Sequence, residues 1–135
     1  LHVIGKIKSN GVTEISDERY KENIQTLKQS LENILALRGV SYNWKKGLDK
    51  DESKQIGLIA QEVELILPDL VDTDDKGFKS VEYSKLVSVL IEAIKSQQLM
   101  IDELKAQNHA LNSNQEKIFT ELNIINKTLN QQVDK

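Results

Sequence analysis

The chain has 135 residues, 18 Lys and Arg against 21 Asp and Glu, a net charge of -3, no Cys and two His. Disulfides and thiolate chemistry are thereby excluded, and the mild, mixed charge leaves no electrostatic footprint for nucleic acid. No apolar run reaches the length of a membrane span and no signal-peptide pattern opens the chain. His2 sits near one end and His109 on a solvent-facing helical position, so neither a Ser-His-Asp triad nor a His-based metal site is expected.

The opening LHVIGKIKSNG reads as mid-protein sequence, the C-terminal piece of something longer. Leu1, Val3 and Ile7 alternate with polar residues and predict a short strand ending at the turn signal Ser9-Asn10-Gly11. Val12–Ile15 predicts a second. A dense polar stretch, Ser16 to Asn23, has no settled period. From Ile24 the apolar positions Ile24, Leu27, Leu31, Ile34 and Leu37 take helical spacing, with Arg38 and Gly39 as a C-terminal stop.

Val40, Tyr42 and Trp44 predict a strand with one buried face, Trp44 being read as core rather than as a platform for a ligand. The charged stretch from Lys45 to Lys54 predicts an exposed loop. Ile56–Ala60 predicts a buried strand, and Gln61–Leu67 a short helix stopped by Pro68, the sole proline. Leu70–Thr73 and Phe78–Val81 flank Asp74-Asp75-Lys76-Gly77, the pattern of a β-hairpin with a glycine in its turn.

The last third predicts one long helix from about Tyr83. Val87, Leu90, Ile94, Gln97, Ile101, Leu104, Asn108, Leu111, Gln115, Ile118, Leu122, Ile125, Leu129 and Gln132 form an unbroken a/d register without Gly or Pro. A strict period of 3.5 argues for a coiled coil, and so for an oligomer. The polar seam residues Gln97, Asn108, Gln115 and Gln132 weaken the seam, though such residues can fix register and strand number, and the pattern leaves two, three or four strands open. Without this helix roughly eighty residues remain, a marginal core that oligomerisation would support. Asn126-Lys127-Thr128 matches a glycosylation acceptor but carries no weight on such a helix.

Four segments, taken in order, bring a family into view. Ser16-Asp17-Glu18-Arg19-Tyr20-Lys21-Glu22-Asn23-Ile24 is similar to the S-D-x-R-x-K-x-N-I signature of the C-terminal intramolecular chaperone domains of phage tailspikes and tail fibres. These are the endosialidase-type chaperones, classed as an S74 peptidase family. Val40-Ser41-Tyr42-Asn43-Trp44 resembles the family's strand after its first helix. Gly57-Leu58-Ile59-Ala60-Gln61-Glu62-Val63, with Leu67-Pro68, resembles its G-x-I-A-Q-E-V…L-P segment, and Lys79–Leu86 with Leu90–Lys95 the start of its terminal helix.

The resemblance implies a homotrimer that assists folding of the fibre or tailspike upstream on the same polypeptide. It also implies a single self-cleavage at Ile15-Ser16, with Ser16 as nucleophile and Lys21 as general base. A serine hydroxyl needs a base to take its proton, and a lysine serves when it is a free amine. Residues i and i+5 do not share a face of a helix or strand. Ser16 and Lys21 therefore meet only if the chain turns between them, or if Lys21 comes from a neighbouring subunit. In the latter case trimerisation completes the site.

Other readings stand beside these. Ser16 or Asp17 caps a following helix and Lys21 is a solvated charge. Arg19 neutralises Asp17 or Glu22, or acts on Lys21. Gln61 and Glu62 are a helix-start cap and polar anchor rather than part of an oxyanion site.

The expectation is thus an α+β chain. Residues 1–15 end an upstream β fibre and flank the cleavage site, 16–82 form a small mixed chaperone and peptidase head, and 83–135 form a parallel, trimeric coiled-coil helix. It would be a phage virion precursor made in the bacterial cytoplasm, or a bacterial surface fibre, without nucleic-acid or membrane partners. The alternatives are a non-cleaving C-terminal trimerisation module of a bacterial surface fibre or adhesin, and a coiled-coil scaffold whose head binds another protein. The family also reaches membrane-bound eukaryotic proteins.

Overall fold

The computed structural model describes residues 14–48 and 52–133. The strands expected at Leu1–Lys8 and over Val12-Thr13 lie outside them, while Glu14 and Ile15 carry no strand. A 3-10 turn over Glu18–Tyr20 comes first, then α1 (Ser30–Ala36), β1 (Val40–Tyr42), β2 (Gln55–Gly57), α2 (Ala60–Ile66), a 3-10 turn at Pro68–Leu70, β3 (Val71–Thr73), β4 (Lys79–Val81) and α3 (Tyr83–Val133). The α+β architecture is as expected. The chain separates into two compact units that meet in sequence between Glu92 and Ala93.

In the first unit β1 pairs antiparallel with β2, Val40 opposite Gly57, and β3 with β4, Val71 opposite Val81. The second ribbon follows its turn chemistry. Asp74 Oδ1 accepts from the backbone N–H groups of Lys76 and Phe78, both at 2.9 Å, and Gly77 takes a φ of 83°. Only a residue without Cβ adopts that left-handed geometry at no steric cost.

α2 ends where Pro68 can no longer supply a helical N–H, and packs on β3 and β4. Val63 on α2, Leu70 and Val89 on α3 are the buried apolar side chains of this unit among the described residues. Lys79 Nζ donates to Glu64 Oε1 at 2.7 Å and to Thr73 Oγ1 at 3.0 Å, joining α2 to both strands of the ribbon. The Glu82 N–H donates to the Leu70 carbonyl at 2.9 Å where the chain enters α3.

Three local expectations are corrected. The helix read from Ile24 begins only at Ser30, because Asn23 and Gln29 both take φ 54°, outside the right-handed helical region. Ile24 and Leu27 stay exposed on the irregular segment between them, so their spacing does not reflect a helix. The strand read as buried at Ile56–Ala60 is Gln55–Gly57, with Ile56 86% exposed. Ile56 pairs with the exposed Ser41 on the uncovered face of a two-stranded ribbon, and α2 claims Ala60. Trp44 is not core either. It lies just beyond β1, 41% exposed, its ring edge-on to Tyr42 with centroids 5.2 Å apart.

α3 is continuous for 51 residues, about 77 Å at the α-helical rise. Beyond Glu92 its apolar a and d residues, from Ile94 to Leu129, are 39–63% exposed. Leu99, Met100, Phe119 and Ile124 add exposed apolar surface off that register. Among the described residues no helix is long and apolar enough to cross a membrane.

Candidate active site

Ser16 precedes the first 3-10 turn and Lys21 ends it. The turn forms because Asp17, in extended conformation, caps it, its Oδ1 accepting from the Arg19 N–H at 2.9 Å. The Tyr20 N–H donates to the Asp17 carbonyl at 3.1 Å and the Lys21 N–H to the Glu18 carbonyl at 2.9 Å. Lys21 then returns to extended backbone, φ -118° and ψ 143°. This reversal brings the two ends of the hexad together, and Lys21 Nζ donates to Ser16 Oγ at 2.7 Å. The turn therefore lets Ser16 and Lys21 of one chain meet without a neighbouring subunit.

Arg19 is committed to Asp17. Its Nε donates to Oδ1 at 3.0 Å and its Nη2 to Oδ2 at 2.7 Å, a bidentate fork. The guanidinium and then the backbone N–H of Arg19 hold the Asp17 carboxyl below the usual carboxylate range, and the same pair raises Arg19. Ile15, on the other side of Ser16, is 87% exposed, so the Ile15-Ser16 bond stands on an open surface. Glu14 lies close enough to the start of α3 to help raise Lys85, after the larger effects of the Glu82 carboxylate, which accepts from Lys85 Nζ at 2.8 Å, and of Asp69.

Gln61 and Glu62 are placed differently. Glu62 on α2 takes Arg38, just past α1, in a two-pronged ion pair that includes Nε to Oε2 at 3.2 Å and Nη2 to Oε1. The Arg38 hydrogen bond lowers the Glu62 carboxyl and raises Arg38 in turn. Glu62 is thus a polar anchor between the two short helices. Gln61 lines an open groove of about 490 Å³ with Tyr42, Trp44, Ile59 and Tyr83.

Two residues with structural roles here carried no signal of that role in the sequence. The Tyr83 hydroxyl accepts from the Leu58 N–H at 2.8 Å, and a Cβ on Gly57 would lie 2.7 Å from that oxygen. Arg38 looked like a helix stop and is also an anchor. Both contacts join residues more than twenty positions apart, which no local spacing reports. Among the described residues no group of three His, Cys, Asp or Glu is placed to hold a metal ion.

Residues 16–72 match the family described as Chaperone of endosialidase. The long tail fibre protein Gp37 of Salmonella phage S16 is 33% identical over 110 residues, covering 76% of this chain and 15% of that protein. Its counterpart in Escherichia phage AR1 is 38% identical over 66 residues, 46% of this chain and 6% of that protein. The myelin regulatory factor homolog 1 of Caenorhabditis elegans is 40% identical over 80 residues, 53% of this chain and 9% of its own length. The chain therefore spans less than a sixth of each of these relatives.

Proposed function

The chain belongs, through residues 16–72, to the chaperone-of-endosialidase family, and from that we propose that it assembles as a homotrimer, assists folding of a phage tail fibre or tailspike upstream on the same polypeptide, and cuts itself off at Ile15-Ser16. Its place would be a virion precursor made in the host cytoplasm. The observation that carries the cleavage reading is the 2.7 Å hydrogen bond from Lys21 to Ser16, next to an exposed Ile15.

The chemistry follows from Ser16 being the residue after the scissile bond. As a charged ammonium Lys21 only donates; as a free amine it takes the Ser16 hydroxyl proton along the same line. Oγ then attacks the Ile15 carbonyl carbon through a five-membered ring. Collapse of the tetrahedral adduct breaks the C–N bond, and the Lys21 ammonium protonates the departing Ser16 nitrogen. Ile15 is left as an ester on Ser16 Oγ. A water molecule, deprotonated by Lys21, attacks that ester and releases the Ile15 carboxylate and the restored hydroxyl. One water is consumed, the chain turns over once, and no metal or organic cofactor takes part.

A second reading, a non-cleaving C-terminal trimerisation module of a surface fibre or adhesin, draws on α3. Its a/d face asks for partner helices whether or not the dyad reacts. Intact mass separates the two. Freshly folded wild type is expected to yield a product beginning at Ser16, while Ser16→Ala and Lys21→Ala stay full length, the lysine change slowing cleavage by about 10²–10⁴-fold. A full-length wild type that still assembles would favour the module.

A further inference from the structure

We infer that Asp17 and Arg19 are positioning residues that hold Ser16 and Lys21 at reacting distance, a role that rests on the self-cleavage reading and goes beyond it. The two reacting side chains are both exposed, and a lysine carries four rotatable bonds. Left alone, such a pair loses more conformational entropy on meeting than one hydrogen bond returns. The intervening turn fixes how far apart the two side chains start, and Asp17 shapes that turn. One carboxylate takes three N–H groups, the backbone N–H of Arg19 at 2.9 Å, its Nε at 3.0 Å and its Nη2 at 2.7 Å.

The first contact sets the turn, and the other two fold the Arg19 side chain back over it. With the Arg19 side chain 84% exposed, the ion pair does little for global stability, and its contribution is local geometry. The two jobs of Asp17 are not equivalent. The cap needs an acceptor at position 17 itself, whereas an ion pair alone would tolerate exchange of the two charges.

That asymmetry is the test. Cleavage after refolding is timed by intact mass for Asp17→Ala, Asp17→Ser, Arg19→Ala and the exchange Asp17→Arg/Arg19→Asp, with melting temperature and oligomer mass as controls. Asp17→Ala is expected to cut about 100-fold more slowly with both controls unchanged, and Arg19→Ala about tenfold more slowly. Asp17→Ser is expected within about tenfold of wild type, because a serine hydroxyl still caps the Arg19 N–H. The charge exchange should be no faster than Asp17→Ala. Wild-type rates in Asp17→Ala, recovery in the exchange, or losses that track melting would each overturn the inference. If wild type itself stays uncut, the self-cleavage reading fails separately. The positioning role is then read from hydrogen exchange at the Arg19 and Lys21 amides, where faster exchange in Asp17→Ala supports it and unchanged exchange overturns it.

Discussion

The hexad Ser16–Lys21 and the helix beyond Ala93 solve opposite problems. The hexad is almost wholly polar and satisfies itself: cap, turn, ion pair and the Lys21–Ser16 contact all lie within six consecutive residues. The helix satisfies its backbone in the same local way but leaves a row of leucines and isoleucines half exposed from Ile94 to Leu129. Hydrogen bonds of short sequence separation can be completed within one chain. An apolar stripe of period 3.5 cannot be, because a straight helix has no second surface to bury it. The Lys21–Ser16 contact is thus complete within one chain, whereas the apolar face of the helix is left uncovered by it.

The largest expected effect comes from breaking the helix side. Leu104→Glu with Leu111→Glu puts charge into consecutive d positions, and sedimentation should show a single-chain mass together with a full-length product. A single-chain species that still cut at the wild-type rate would make the turn sufficient and assembly irrelevant to the chemistry.

A smaller effect is expected inside the head, where Gly57→Ala drives a Cβ to within 2.7 Å of the Tyr83 hydroxyl. Thermal unfolding should report a loss of about 1–2 kcal/mol, part of it recovered by adding Tyr83→Phe, since that change removes the obstructing oxygen. Strict additivity of the two changes would place the strain elsewhere.

The smallest effect belongs to the exposed Arg38–Glu62 pair. The Glu62 carboxyl is depressed in the fold, so its contribution is present above the ordinary carboxylate range and is lost as pH falls through the lowered value. Arg38→Ala should therefore melt slightly below wild type at neutral pH, with the gap closing in acid. A gap that widened on acidification would contradict the sign.

How much of this was legible in the sequence depended on how local each determinant is. The Asp74–Gly77 turn, the stop at Pro68 and the start of α3 at Tyr83 are set by neighbouring residues, and all three were readable. The start of α1 was not, because Ile24 and Leu27 mimic helical spacing while Asn23 and Gln29 turn left-handed. Ile56 and Trp44 were misplaced for a related reason. Apolar character predicts burial only where a second layer exists, and the β1–β2 ribbon leaves both exposed. At the candidate site, Ser16 and Lys21 were singled out by resemblance. Their spacing alone permitted a turn or a neighbouring subunit, and the backbone geometry shows how a turn brings them together within one chain. The roles of Tyr83 and Arg38 depend on partners 25 and 24 residues away, beyond the reach of any periodic pattern.

The central claim, that nucleophile and base come from one chain, is tested most directly by co-folding Ser16→Ala and Lys21→Ala chains of distinguishable mass into mixed assemblies, beside wild type as the cutting control. A same-chain dyad predicts that neither variant is cut in the mixture. A product beginning at Ser16 from the Lys21→Ala chain would show a base supplied by its neighbour and contradict the account.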